Sequence, residues 1–175
     1  GLIDYDTREF KHISIPTEAK SQSFFRLRKA GDGGVYCFNL FGQIFKIENG
    51  TCSLFFALQD EDQKPFTAYE IGAENELFIA GEGIQLIENH KATELLPGPE
   101  VESLLAVEEG LIYYDQQTGN LAKWSNDQVT ILSDSRLGSQ LSLSANHEIL
   151  QFSKKTDSVF VHGANGSSAH QLFEI

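Results

Sequence analysis

Methionine is absent from this chain, position 1 included, and no secretory leader opens it. A chain of that kind is expected to be an excised piece of a longer protein, with any targeting signal lying in the missing parts. No run of 18 apolar residues occurs, which excludes a membrane-spanning helix. Only two cysteines are present, Cys37 and Cys52. They are too few for a disulfide scaffold and lack metal-ligand spacing, so two buried free thiols are expected. Cationic residues are scarce, 13 Lys and Arg against 25 Asp and Glu, giving a net charge of -12. Nucleic acid and anionic membrane both reward clustered Lys and Arg, so neither is expected as a partner; the acidity reads as a solubility device. Helical periodicity, with apolar residues at i, i+3, i+4 and i+7, is nearly missing.

What is present is a β pattern in an ordered globular composition, 41% hydrophobic and 22% charged. The stretch Asp32–Phe56 is the clearest instance. A Gly-rich turn feeds Val35–Leu40, a bend at Phe41-Gly42 leads into Ile44–Glu48, and Asn49-Gly50 turns the chain into Thr51–Phe56. Asn-Gly between alternating apolar residues is a strong hairpin signal, because both central positions of a type I′ turn need positive φ. With Ser23–Ala30 in front, this makes a four-strand unit. A second unit follows the charged loop Gln59–Lys64: Phe66–Ala73, Leu77–Ala80, Ile84–Glu88 and Ala92–Leu96, closed by Pro97-Gly98-Pro99, which reads as a breaker. A third has strands Val101–Val107, Leu111–Asp115, Leu121–Ser125 and Val129–Leu132. The fourth has Leu141–Ala145, Ile149–Phe152, Val159–His162 and Ala169–Phe173, with its last turn at Asn165-Gly166. Residues 1–15 read as two strands, Leu2–Asp6 and Glu9–Ile15, turning at Thr7-Arg8.

The units recur at an interval near 40 residues. Second-strand starts at Val35, Leu77, Leu111 and Ile149 lie 42, 34 and 38 residues apart. Third-strand starts at Leu2, Ile44, Ile84, Leu121 and Val159 lie 42, 40, 37 and 38 apart. A four-strand unit with a period near 40 is the signature of β-propeller blades, and it is preferred to a sandwich or an up-and-down barrel because the Asn-containing turn always comes last. The expected fold is all-β: a half blade over 1–15 and four four-stranded antiparallel blades over 23–58, 66–96, 101–132 and 139–175, together a fragment of a larger propeller. Such an arc leaves blade edges unpaired, so self-association through them, or a strained small closure, is expected.

Catalytic constellations are not found. His12, His90, His147, His162 and His170 form neither H-E-x-x-H nor a paired zinc spacing, and no metal or cofactor is expected. Asp60-Glu61-Asp62, Glu100 with Glu102, and Glu108-Glu109 read as solvated loops rather than two carboxylates held across a cleft. Gly81-Glu82-Gly83 reads as a two-glycine turn, and no nucleophile elbow or phosphate-cradling loop occurs. The aromatics concentrated in the first unit, such as Tyr36 and Phe38, read as core. The candidate ligand-binding residues are Arg26 and Arg28. They stand two apart on a predicted first strand, so alternation places them on one face, and the first strand of a propeller blade lines the central channel. Two guanidinium groups there could grip an anionic ligand such as a uronic-acid sugar, although pairing with nearby acids is the favoured account of them.

Asp32-Gly33-Gly34-Val35-Tyr36 followed by Gly42-Gln43-Ile44-Phe45-Lys46-Ile47, and the opening Gly1-Leu2-Ile3-Asp4-Tyr5-Asp6, resemble the two-component regulator propeller repeat. The tryptophan of that repeat is replaced here by Tyr36, Phe78, Ile112 and Leu150, and the single Trp124 stands on a third strand. The resemblance implies a segment of the sensor region that precedes a membrane span and a histidine kinase, located in the periplasm. The expected function is non-catalytic: binding a carbohydrate or other anionic small ligand, or a neighbouring subunit. The alternatives are a propeller carbohydrate-active enzyme, either glycoside hydrolase or polysaccharide lyase, and a structural protein-interaction propeller.

Overall fold

Three two-residue turns set the antiparallel geometry of the chain. Asn49 and Gly50 have φ of 51° and 77°, Asn89 and His90 48° and 63°, and Asn126 and Asp127 51° and 58°. Positive φ at both central positions matches the right-handed twist of the flanking strands, and Asn in each first position tolerates the left-handed region that most side chains avoid. The computed structural model describes residues 2–3, 10–58, 65–133, 140–144, 148–153, 158–163 and 169–174. All sixteen of its regular elements are strands. The turns expected at Thr7-Arg8 and Asn165-Gly166, the acidic run Asp60–Asp62 and His147 lie outside the described residues.

The chain divides into two compact units, the first comprising Gly1–Pro65 with Asn89–Lys91 and the second Phe66–Glu88 with Ala92–Ile175. In the first unit, β1 (Leu2–Ile3) pairs with β2 (Phe10–Lys11). A four-stranded meander follows in the order β3 (Phe25–Lys29), β4 (Val35–Phe38), β5 (Gln43–Glu48) and β6 (Thr51–Ala57). Its core is Cys37, Phe45 and Cys52 with Ile13, Phe24, Ile47 and Leu54 against them. Phe24 meets Phe45 edge-on at 5.0 Å and Tyr36 meets Phe55 edge-on at 5.1 Å, so most of the aromatic concentration in this stretch is packing. Both cysteines are free and buried, and burial pushes the Cys37 thiol up to about 12, far from a reactive thiolate.

Polar side chains pin the turn between β4 and β5. Buried Asn39 accepts from the Phe41 amide at 3.0 Å and donates through Nδ2 to Gln43 Oε1 at 2.8 Å. Gln43 reaches 23 to 25 residues back along the chain: its Oε1 accepts from the Lys20 amide and its Nε2 donates to the Glu18 carbonyl. The polar connector before β3 is thereby fastened to the sheet. Nearby, Lys46 bridges Asp32 at 2.8 Å and Glu48 at 3.3 Å.

The second unit holds a six-stranded sheet and a four-stranded one. The first runs in the order β12-β11-β10-β9-β8-β7, from β7 (Ala68–Ile71), β8 (Leu77–Glu88), β9 (Lys91–Val107), β10 (Gly110–Asp115) and β11 (Asn120–Ser125) to β12 (Gln128–Ser133). The second is the meander β13 (Gln140–Leu143), β14 (Ile149–Ser153), β15 (Ser158–His162) and β16 (Ala169–Glu174).

Two boundaries expected from the sequence are overturned here. Residues 81–83 lie inside β8 rather than in a turn, and Pro97-Gly98-Pro99 lies inside β9 rather than ending a strand. Proline lacks an amide hydrogen but its fixed φ suits extended chain, and it is tolerated where no ladder bond is required of it. Glycine supplies the irregular backbone, with Gly83 at φ 89° and Gly98 at 105°. A Cβ on Gly83 would meet the Leu96 carbonyl oxygen at 2.7 Å, so the close approach of β8 and β9 needs glycine there.

Strand β10 has both faces buried. Leu111 and Tyr113 join a core with Ala68, Ala80, Ile84, Val101 and Leu104, whereas Ile112 on the opposite face joins Leu105, Leu121 and Ile149.

In the last sheet His162 and Gln151 are fully buried, with Nε2 of His162 2.8 Å from Oε1 of Gln151. The other ring nitrogen, Nδ1, has no hydrogen-bond partner. Burial lowers the imidazole pKa below its ordinary value of 6.5. The unfolded chain therefore takes up a proton that the folded site refuses, so this contribution to stability is complete above 6.5 and is lost as pH falls beneath it. Urea denaturation should show stability falling by up to about 1.4 kcal/mol per pH unit between about pH 6.5 and the lowered folded value. A His162→Leu/Gln151→Leu variant should lack this increment, and an unchanged pH dependence in that variant would refute the assignment.

Candidate functional site

The β9–β10 turn carries two glutamates, residues poorly suited to positive φ. Neither Glu108 nor Glu109 adopts it; the left-handed conformation is displaced onto the following Gly110, at φ 126°. Gly110 pairs with Val107 and closes the turn, and a Cβ there would approach the Trp124 carbonyl oxygen to 2.2 Å. This glycine is what allows a Glu-Glu turn beside β11.

The turn borders a cleft of about 530 Å³. Ile71, Gly72 and Ala73 from the end of β7, Ala106 and Val107 from the end of β9, and Leu143 from the end of β13 line it, with Ile112 and Ile149 beneath. All lining residues belong to the second unit. The apolar lining is the exposed margin of the core around Leu105, Ile112, Leu121 and Ile149.

Three charged groups complete the lining: Glu108, Glu109 and Lys123. Lys123 stands directly across the ladder from Ile112, so the two side chains share a face. Its stem follows the apolar surface and its ammonium emerges at the rim, 3.5 Å from Glu109 Oε2. The Glu109 side chain is 81% exposed, so this ion pair adds little stability and stays exchangeable. Counting formal charges, the rim carries one negative charge in excess. A concave surface of this volume that joins apolar side chains to a few charged groups has the form of a small-ligand site.

At the other end of β10, buried Asp115 is a structural group. Its Oδ1 accepts from the amides of Glu100 (3.2 Å) and Gln117 (3.1 Å), and Oδ2 accepts from Thr118 Oγ1 at 2.6 Å. It fastens the β10–β11 turn as Asn39 fastens that between β4 and β5.

Arg26 and Arg28 lie on β3 in the first unit. The ladder pairs Phe25 with Phe38 and Arg28 with Tyr36, so β3 carries one residue more than β4 between these pairs, and Arg26 sits in the irregularity at φ 48°. The expectation that alternation alone puts both guanidinium groups on one face is corrected by this bulge. Arg26 is exposed and Arg28 partly buried. His12 and His90 are exposed, and His90 Nδ1 contacts the carbonyl oxygen of Phe55. Among the described residues no cluster of His, Cys, Asp and Glu has metal-holding geometry.

The cleft was not legible as a site. Glu108-Glu109 reads as a solvated turn, which it is, and its proximity to Lys123 depends on ladder register. That register was within reach: counting back from the four-residue turn 116–119 sets Lys123 opposite Ile112.

No family model matches the sequence, and no curated protein matches it. Solved structures do match its fold. A catalytically inactive variant of virginiamycin B lyase from Staphylococcus aureus, determined with quinupristin, superposes with a TM-score of 0.70 at 15% identity, over 90% of this chain and 57% of the lyase. The extracellular domain of a protein described as a hybrid two-component system from B. thetaiotaomicron gives 0.67 at 13% identity, over 93% of this chain and 23% of that one. Regucalcin from Agrobacterium tumefaciens, a calcium-binding protein, gives 0.66 at 14% identity, over 87% and 60%. The chain thus spans little more than half the length of the lyase and about a quarter of that extracellular domain. At such identities the likeness establishes fold: all-β, a partial β-propeller, as the repeat predicts.

Gly110→Ala should destabilise the protein by about 2 kcal/mol or more, because the added methyl both strains the backbone and strikes a carbonyl oxygen. Thermal unfolding of this variant beside Gly50→Ala, where a Cβ meets nothing within 4 Å, checks the claim. Equal losses at both glycines would show that φ alone, and not the close approach to β11, sets the requirement.

Proposed function

We propose that this chain is a non-catalytic, ligand-binding segment of the propeller sensor region of a bacterial two-component receptor, acting outside the cytoplasm. The observation that carries the reading is the cleft at the ends of β7, β9 and β13. It offers apolar area and charged groups suited to binding. Its two carboxylates are adjacent residues of one turn, whereas two-carboxylate glycoside hydrolysis needs them facing across the bond to be cut, roughly 5 to 10 Å apart. The likeness to a two-component extracellular domain and the repeat motifs around Asp32–Ile47 support the receptor context. Ligand binding there would signal by favouring one arrangement of the receptor's domains over another, which requires unequal affinity for the two arrangements.

Arg26 and Arg28, in the first unit, are proposed as a separate contact for an anionic ligand, with Arg26 exposed at its bulge. Self-association is proposed to use open blade edges: β12 is the edge of its sheet and leaves Val129 48% and Ile131 61% exposed.

The test is a thermal-shift screen of the 175-residue protein against oligosaccharides, uronates, amino acids and amines, alongside product analysis on the same compounds. A saturable rise in Tm without product formation is expected; turnover of any compound would replace the sensor reading with an enzyme. For a uronate that binds, Arg26→Ala/Arg28→Ala should weaken affinity about tenfold, as loss of charge-assisted hydrogen bonds does. Undiminished affinity removes the pair from the site. Sedimentation at high protein concentration should show a reversible dimer, and a strictly monomeric particle would count against edge-to-edge association.

A further inference from the structure

We infer that the cleft bounded by Ile71, Val107, Leu143 and the Glu108–Glu109 turn selects a small amphipathic cation, an amine carried on an apolar body. The inference rests on the reading of this chain as a ligand-binding segment and adds the chemical class that its cleft accepts.

Ile71, Val107 and Leu143 line the cleft over the buried Ile112 and Ile149, and 530 Å³ accommodates a ring or short alkyl body. Burial of that body against the cleft provides most of the affinity.

The sign of the ligand's charge follows from the rim. Lys123 is the single cation among the lining residues, and it stands within ion-pair distance of Glu109. An anionic ligand would have to draw Lys123 away from Glu109 and then sit beside Glu108 and Glu109 together. An ammonium group meets the opposite situation: Glu108 lines the cleft on the same turn, and Glu109, itself 81% exposed, can exchange Lys123 for the ligand. The chain's net charge of -12 works in the same direction over longer range. Because Glu109 and the ammonium of Lys123 reach solvent, the carboxylates contribute selectivity of sign more than raw affinity. Arg26 and Arg28 are not among the lining residues, so an anion held by them and a cation held here are separable events.

The experiment uses three probes of matched shape: 3-phenylpropylamine, 3-phenylpropanol and 3-phenylpropionate. Binding to the 15N-labelled 175-residue protein is followed through the amides of Gly72, Ala106, Gly110 and Ile112. The amine is expected to perturb these amides at least about fivefold more tightly than the propionate, with the alcohol between them, and added salt should narrow the gap. Glu108→Gln/Glu109→Gln should level amine and alcohol. Lys123→Gln should tighten the amine, because it releases Glu109 while the turn keeps its backbone. Equal affinity for amine and propionate, or preference for the propionate, overturns the cation assignment while leaving a ligand-binding cleft. No perturbation of these amides by any of the three probes overturns the assignment as well. In that case, the separate thermal-shift screen decides whether the ligand-binding reading survives through another surface.

Discussion

Every structural feature of this chain answers to the antiparallel ladder. Paired strands must satisfy each other's backbone donors and acceptors, and pairing fixes a side-chain alternation that cannot be adjusted residue by residue. In the second unit that alternation divides β10 between two cores, Leu111 and Tyr113 in one and Ile112 in the other. Both faces must then be apolar, which is why this strand reads as the near-continuous run Leu-Ile-Tyr-Tyr rather than as alternating polar and apolar residues. The ladder also decides what lies at the cleft. Once Ile112 faces the second core, its cross-strand partner Lys123 faces it too, and the ammonium has nowhere to go but the rim.

Burial on both faces leaves little room for polar groups, and those that are buried have specific tasks. Asn39 and Asp115 stand at the ends of β4 and β10, and each binds a backbone amide of the turn that follows. A side chain that accepts from the backbone two residues on replaces the water that the turn would otherwise need. Gln151 and His162 are different. They sit within strands, satisfy one another through a single contact, and leave one imidazole nitrogen without a partner. The first two stabilise a conformation by satisfying it, whereas the last makes its sheet sensitive to proton activity.

The fold was legible in the sequence because its signals are local. A two-residue turn at Asn49-Gly50 announces a hairpin whatever surrounds it, and the same turn recurs where Asn89 and Asn126 stand. Errors arose where a local rule met a longer-range demand. Pro97-Gly98-Pro99 is a breaker by composition, yet β9 passes through it between its two neighbouring ladders. Arg26 and Arg28 are two apart, yet a bulge interposes between them. The cleft was illegible for the same reason. Its members come from β7, β9, β10, β11, β13 and β14, and no spacing along the chain announces that the ends of β7, β9 and β13 meet.

The length of β9 carries an architectural meaning. Seventeen residues run without interruption from Lys91 to Val107, hydrogen-bonded to β8 on one side and β10 on the other. The strands that pair with β8 and those that pair with β10 therefore belong to one hydrogen-bonded sheet through β9, not to two sheets joined by a slack connector. Gly98, at φ 105° midway along, is where this long strand departs from ordinary extended backbone while keeping its place between the two ladders.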